Sequence, residues 1–130
     1  MSRLRLPPPV RAVLALTLAS ALAGCAHTIR VGASRTLHVA VTEYRLTPDT
    51  VRAYAGTLTI TVRNLGVRTH DLAISLGTQN VALTPDLMPG QTAVMTVDLA
   101  PGTYLLRSTI TGDQALGLWG TLEVVAAHRT

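Results

Sequence analysis

The chain has 130 residues, 48% of them hydrophobic, and a formal net charge of +4. Every basic residue is Arg, and Arg3, Arg5 and Arg11 crowd the N-terminus, so eight Arg face seven acids from residue 25 onward, dispersed along the sequence. That balance excludes the basic footprint of a nucleic-acid-binding protein, and residues 25–130 have the length of one domain with one core.

Residues 1–24 read as a segment to be set aside before any fold reasoning. "MSRLRLPPPVR" is basic without acids, and "AVLALTLASALAG" is apolar but too short to span a bilayer. It runs into Leu22-Ala23-Gly24-Cys25, and Cys25 is the only Cys of the chain. The order of these regions resembles a bacterial lipoprotein signal, so a signal helix over 1–24 and a lipidated Cys25 as mature N-terminus are expected. An alkylated Cys25 leaves the folded part with no disulfide, no thiolate nucleophile and no thiolate ligand. Residues 25–35 then read as lipidated N-terminus and tether, 36–126 as a single folded domain and 127–130 as a tail.

From Thr36 the period is two. "TLHVAVTE" places Leu37, Val39 and Val41 on one face, and "TLTITVRN" places Leu58, Ile60 and Val62 there. "HDLAISL" aligns His70, Leu72, Ile74 and Leu76. "TAVMTVDL" aligns Ala93, Met95, Val97 and Leu99. "TYLLRST" groups Tyr104, Leu106 and Ser108, and "GTLEVV" pairs Leu122 with Val124. Turn signals separate these runs at Thr47-Pro48-Asp49, Ala55-Gly56, Asn64-Leu65-Gly66, Met88-Pro89-Gly90 and Ala100-Pro101-Gly102. The spacing predicts an all-β sandwich.

Several strings together carry a family resemblance. "VTEYRLTPDTVRAYAGTLTITVRNLG" leads to "THDLAI"; "LMPGQTAVMTVDLAPGTYLLRST" leads to "GDQALGLWGTLEV". In this order they resemble a cupredoxin, the Greek-key β-sandwich of blue copper proteins. In that family copper is held by two His, a Cys thiolate and usually a weak axial Met. The resemblance puts His70 at the first His, Ser108 at the Cys, Asp113 at the second His and Leu118 at the Met, with Gly112, Gly117 and Gly120 kept.

Three of the four ligands are therefore absent. A hydroxyl supplies no copper–thiolate bond, a carboxylate is a hard donor, and Leu118 ligates nothing. Ser108 is expected to point inward and satisfy its hydroxyl on a backbone group. His70 reads as a structural histidine that approaches Asp113, and Trp119 as part of an apolar loop tip. Met95 reads as core, whereas Met88, before a Pro-Gly turn, joins His70 and Asp113 as the weak metal candidates. His27, His38 and His128 read as solvated. A Ser108–His70–Asp113 triad is not supported, since no nucleophile elbow accompanies it. These readings predict no catalytic residues and no enzyme activity. They describe a lipid-anchored, extracytoplasmic protein of the cell envelope with a degenerate copper site. Its expected partners are the membrane, through Cys25, and an envelope protein or small ligand. The alternative is a copper-binding or electron-transfer cupredoxin with a non-standard site around His70.

Overall fold

The structure, a computed structural model, describes Arg3 and residues 27–127. The expectations for Cys25, for the signal segment other than Arg3, for His128 and for the end of the tail fall outside the described residues.

Ten strands follow one another: β1 (Ile29–Arg30), β2 (Thr36–Thr42), β3 (Arg45–Thr47), β4 (Thr50–Tyr54), β5 (Gly56–Asn64), β6 (Ala73–Leu76), β7 (Gln79–Leu83), β8 (Thr92–Leu99), β9 (Gly102–Arg107) and β10 (Trp119–Val125). They form a six-stranded sheet in the order β1-β4-β10-β9-β6-β7 and a four-stranded sheet in the order β3-β2-β5-β8. Both are mixed: β1–β4, β4–β10 and β2–β5 pair parallel, the other neighbours antiparallel. Among the described residues no helix is long and apolar enough to cross a membrane.

Alternation decides which faces meet. Leu37, Val39 and Val41 of β2 and Leu58, Ile60 and Val62 of β5 turn the small sheet's apolar face inward. It packs on Val51, Ala53, Tyr104, Leu106, Leu122 and Val124 of the large sheet, all buried in one cluster. Tyr104 extends this core and donates its hydroxyl to Ala100 O at 2.8 Å. On the edge strand β8 only Leu99 is fully buried, while Ala93, Met95 and Val97 pack against the rim of the core and Val94 on the other face is 65% exposed.

Four segments differ from the sequence reading. β6 begins at Ala73 rather than at His70, because His70 and Leu72 pair with Leu87 and Thr84 of an irregular segment instead of with a strand. Leu76 is exposed rather than facing the core, since it ends β6 beside the turn to β7. β7, "QNVAL", is exposed almost throughout, so its residues carry no apolar stripe to reveal it. Ordered structure also begins ahead of Thr36. Ile29 and Arg30 pair with Val51 and Arg52, Val31 N–H donates to Arg52 O at 2.9 Å, and Arg35 caps the chain by donating to Tyr54 O and Thr57 O. The tether expected over 25–35 is thus taken into the sheet from Ile29.

The strand ends sort to two sides. The segments around 43–44, 64–72, 84–91 and 108–118 meet at one end of the sandwich. The turns after Val31, Tyr54, Leu76 and Leu99 lie at the other.

Ile60, wholly buried at the centre of β5, sets the scale of core stability. Ile60→Ala is expected to cost about 2–5 kcal/mol in urea unfolding, while Val94→Ala on the exposed face changes it by less than about 0.5 kcal/mol.

Candidate functional site

At the first of these ends the apolar core gives way to a buried polar cluster. Its scaffold is the Asn64-Leu65-Gly66 turn. Asn64 is fully buried; its Oδ1 accepts from Gly66 N–H at 2.8 Å and its Nδ2 donates to Arg68 O at 2.7 Å and Leu87 O at 2.8 Å. Antiparallel backbone bonds between His70 and Leu87 follow at once, at 3.0 and 2.7 Å. Together they fix the direction in which the His70 side chain enters.

The His70 ring, 1% exposed, lies between two carboxylates: Nδ1 is 2.8 Å from Asp113 Oδ2 and Nε2 is 3.2 Å from Glu43 Oε1. Whichever ring nitrogen carries a proton, it meets an acceptor. The Ser108 hydroxyl lies 2.7 Å from the same Asp113 oxygen and 2.9 Å from Asp71 Oδ1; with one proton it donates to one at a time. Asp71 also accepts from Thr109 N–H at 2.6 Å and, at Oδ2, from the Thr109 hydroxyl. Among the described residues no buried side-chain nitrogen or oxygen lacks a hydrogen bond.

Two loops deliver the acids. Asp113 sits in a coiled segment held by Asp113 N–H to Ile110 O, Leu116 N–H to Gly112 O and Leu118 N–H to Asp113 O. Gly112 and Gly117 bend this segment with φ of 91° and 119°. At Gly117 a Cβ would also lie 2.7 Å from Tyr44 O, so only glycine lets the loop close on the β2–β3 turn. Leu118 then drops into the core, wholly buried. Glu43 comes from that same turn, where Tyr44 is held at φ 63°. Its carboxylate caps the loop of the small sheet, accepting from Val67 and Arg68 N–H at 2.7 Å each. Burial pushes the Glu43 pKa up, but hydrogen bonds from its own backbone, Arg68, His70 and Val67 outweigh this and bring it from 4.5 down to about 2.

The structure thus brings His70, Ser108 and Asp113 together, with Leu118 beneath them. Ser108 points inward, and its hydroxyl oxygen accepts from the backbone Ile110 N–H at 3.2 Å while its proton goes to one of the two carboxylates. Trp119 is 49% exposed and stands outside the loop tip, while Leu118 supplies the apolar packing within it. Met88 follows Leu87 beside the cluster, yet its side chain is 59% exposed. Glu43 and Asp71 were not singled out by the sequence reading. Asp71 was visible as the partner of His70 in "THDL", and Glu43 only as an acid at a strand end.

Compared with a centre of two His, a Cys and a Met, this cluster offers one imidazole, engaged on both nitrogens, with a hydroxyl, a carboxylate and an alkyl chain. No group of three or more His, Cys, Asp or Glu among the described residues is arranged to hold a metal ion.

The family model for the cupredoxin-like domain matches residues 12–117, and the chain belongs to that family. No curated protein matches it. Auracyanin from the photosynthetic bacterium Roseiflexus castenholzii is similar in structure, with a TM-score of 0.65 and 24% identity, over 72% of this chain and 99% of its own. Auracyanin A from Chloroflexus aurantiacus, described as a blue copper protein, gives 0.61 and 19% over 74% and 99%. Rusticyanin from Thiobacillus ferrooxidans gives 0.63 and 18% over 75% and 82%. At these identities the likeness is one of fold, and the fold is the expected β-sandwich.

The lowered Glu43 pKa makes part of the stability pH-dependent. A depressed folded-state pKa stabilises fully above the ordinary value of 4.5 and loses that contribution as pH falls toward about 2. Urea midpoints of the wild type and Glu43→Gln should therefore differ by a constant amount above about pH 5, with the wild type the more stable, and draw together progressively as pH falls from 4.5 toward about 2. A gap that stays constant into the acid range would contradict the assignment.

Proposed function

We propose that the protein is a lipid-anchored component of the cell envelope whose cupredoxin-like domain lacks the blue copper ligands and serves as a binding or scaffolding module. The loops around His70 form its functional end. The observation that carries this reading is the Asp113 carboxylate, 2.8 Å from His70 Nδ1 and 2.7 Å from Ser108 Oγ. An internal hydrogen-bonded network takes the place in which the resemblance puts a metal and its thiolate. Leu118, fully buried, fills the fourth position with hydrocarbon. His70 is then structural, and the domain needs no copper to close its loop. The cluster does not favour hydrolysis either: the Ser108 hydroxyl lies on two carboxylates and makes no hydrogen bond to the imidazole that would have to deprotonate it.

The anchoring half of the proposal rests on the order of basic, apolar and small residues ahead of Cys25. It makes the protein extracytoplasmic, with the membrane as one partner and an envelope protein or small ligand as the other. Membership of the cupredoxin-like family favours a second reading, in which a non-standard site around His70, with Asp113 or Met88, binds copper or carries electrons.

Copper titration of the purified protein separates the two. The expected result is no stoichiometric tight binding of Cu(I) or Cu(II), and the same weak uptake in His70→Ala. Stoichiometric binding that disappears in His70→Ala would establish the second reading instead. A constructive variant tests the placement of the loop: Ser108→Cys, Asp113→His and Leu118→Met together should yield an intensely coloured copper–thiolate centre. A folded triple variant that stays colourless with copper would mean that these positions do not correspond to the ligands.

A further inference from the structure

β1 runs parallel to β4, with Ile29 beside Val51, and β4 starts on the side of the His70 end. The chain therefore reaches Ile29 from that side, along the edge of the large sheet. Through Val51, Ile29 is level with Leu122, three residues into β10 from Trp119. At about 3.3 Å per strand residue that is roughly 10 Å below the first loops of the His70 end. Cys25 precedes Ile29 by four residues, and an extended chain covers at most about 3.6 Å per residue, which keeps Cys25 within roughly 14 Å of Ile29. A lipid on Cys25 is thus tied to the sandwich by a short leash that can reach the level of those loops.

The loops at that level present apolar side chains to solvent. Val67 is 82% exposed and Leu116 58%, and Tyr44, Met88 and Trp119 are exposed with them. Contacts beneath tie these residues into one surface. Gly117, next to Leu116, closes on Tyr44 O and accepts from Trp119 N–H at its own carbonyl. Glu43, next to Tyr44, accepts from Val67 N–H at 2.7 Å. Asn64 Nδ2 donates to Arg68 O and Leu87 O, whose residues adjoin Val67 and Met88. Asp71 and Asp113 are buried and bonded inward, and Glu43 turns its carboxylate to loop amides and His70. The exposed charges at this end are Arg45, Arg63, Arg68, Asp49 and Asp86, close to balance. Aliphatic side chains on loop tips, with a Tyr and a Trp beside them, are the groups that settle at a bilayer interface, and a nearby lipid makes the contact intramolecular.

We infer that the His70 end docks on a lipid bilayer through Tyr44, Val67, Met88, Leu116 and Trp119, so that the closed loop rests on the membrane that holds the anchor. This rests on the reading of Cys25 as the lipid anchor. Burial of apolar loop tips drives the docking, since the near balance of charge leaves little attraction to headgroups. The turn from β6 to β7, at the opposite end, then points away from the bilayer.

The experiment uses the lipidated protein, isolated from membranes and reconstituted into vesicles of phosphatidylcholine and phosphatidylglycerol. Mass spectrometry of the peptide containing Cys25 reports acylation, and spin labels attached through Gln114→Cys or Thr78→Cys report access to an aqueous nickel chelate. Gln114 is exposed beside Leu116, and Thr78 is exposed in the turn from β6 to β7. The label at 114 should lose most of its nickel access on reconstitution, while the label at 78 keeps its own. Val67→Gln/Leu116→Gln, at two exposed positions, should restore access at 114 several-fold. An unacylated Cys25 peptide would overturn the anchor reading and the docking with it. Acylation with equal access at both labels would leave the anchor standing and overturn the docking alone, freeing this end for a protein partner. Protection at 78 instead of 114 would overturn the orientation, and protection at 114 that survives the double substitution would overturn the role given to the apolar side chains.

Discussion

The contact between the Asp113 carboxylate and His70 Nδ1, 2.8 Å long and almost free of solvent, is the constraint around which the site end is arranged. A carboxylate taken out of water costs several kcal/mol unless its oxygens are supplied with donors. Asp113 obtains them from His70 and Ser108, and Asp71 from Thr109 with a share of the Ser108 proton. Each partner is held in turn: His70 by its backbone pairing to Leu87, and Ser108 by its place at the end of β9. The cluster is therefore a joint between the two sheets, since Glu43 reaches it from the small sheet and Asp113 from the loop of the large one.

The glycines show how closely the backbone has been fitted to this joint. At Gly66 a Cβ would lie 2.5 Å from Glu43 Oε1, so the Asn64-Leu65-Gly66 turn is open just where the carboxylate must reach its amides. At Gly117 the obstacle is the carbonyl of Tyr44, the residue next to Glu43. The turn that delivers one acid and the loop that delivers the other thus touch directly, and a side chain at Gly117 would separate them. Gly120 serves the neighbouring strand in the same way, admitting Asp49 O close to β10.

Much of this was legible in the sequence, for reasons that can be assigned. β2, β5, β9 and β10 alternate because one face of each is buried, and their periods gave the sandwich directly. β7 was hidden because it is exposed on nearly every residue, and β1 because two residues cannot show a period. β3 and β4 are short and flank Pro48, so neither shows a period, and only the turn between them at Thr47-Pro48-Asp49 was legible. At the site, His70, Ser108, Asp113 and Leu118 came from the spacing of a known pattern. Glu43 lies 27 residues from its imidazole and Asp71 lies 37 from its serine. No local pattern records such pairings; they become visible only when the two sheets close.

In the proposed reading, the same closure takes over the work that a metal does in a blue copper centre. A ligand set does two structural jobs: it ties distant loops to one point, and it neutralises the polar atoms that converge there. Asp113 performs both, because a carboxylate accepts where a metal would have accepted, from an imidazole and from a hydroxyl at once. Ser108 suits that arrangement better than a thiol, being the stronger donor, and Leu118 returns the fourth position to the core. None of these residues would serve alone. Asp113 without His70 is an unpaired buried charge, and Ser108 without Asp113 leaves its proton to Asp71 only. The three residues make sense as one arrangement, and the functional question moves from the interior of the loop, where every polar atom is spoken for, to the side chains that the closed loop presents to solvent.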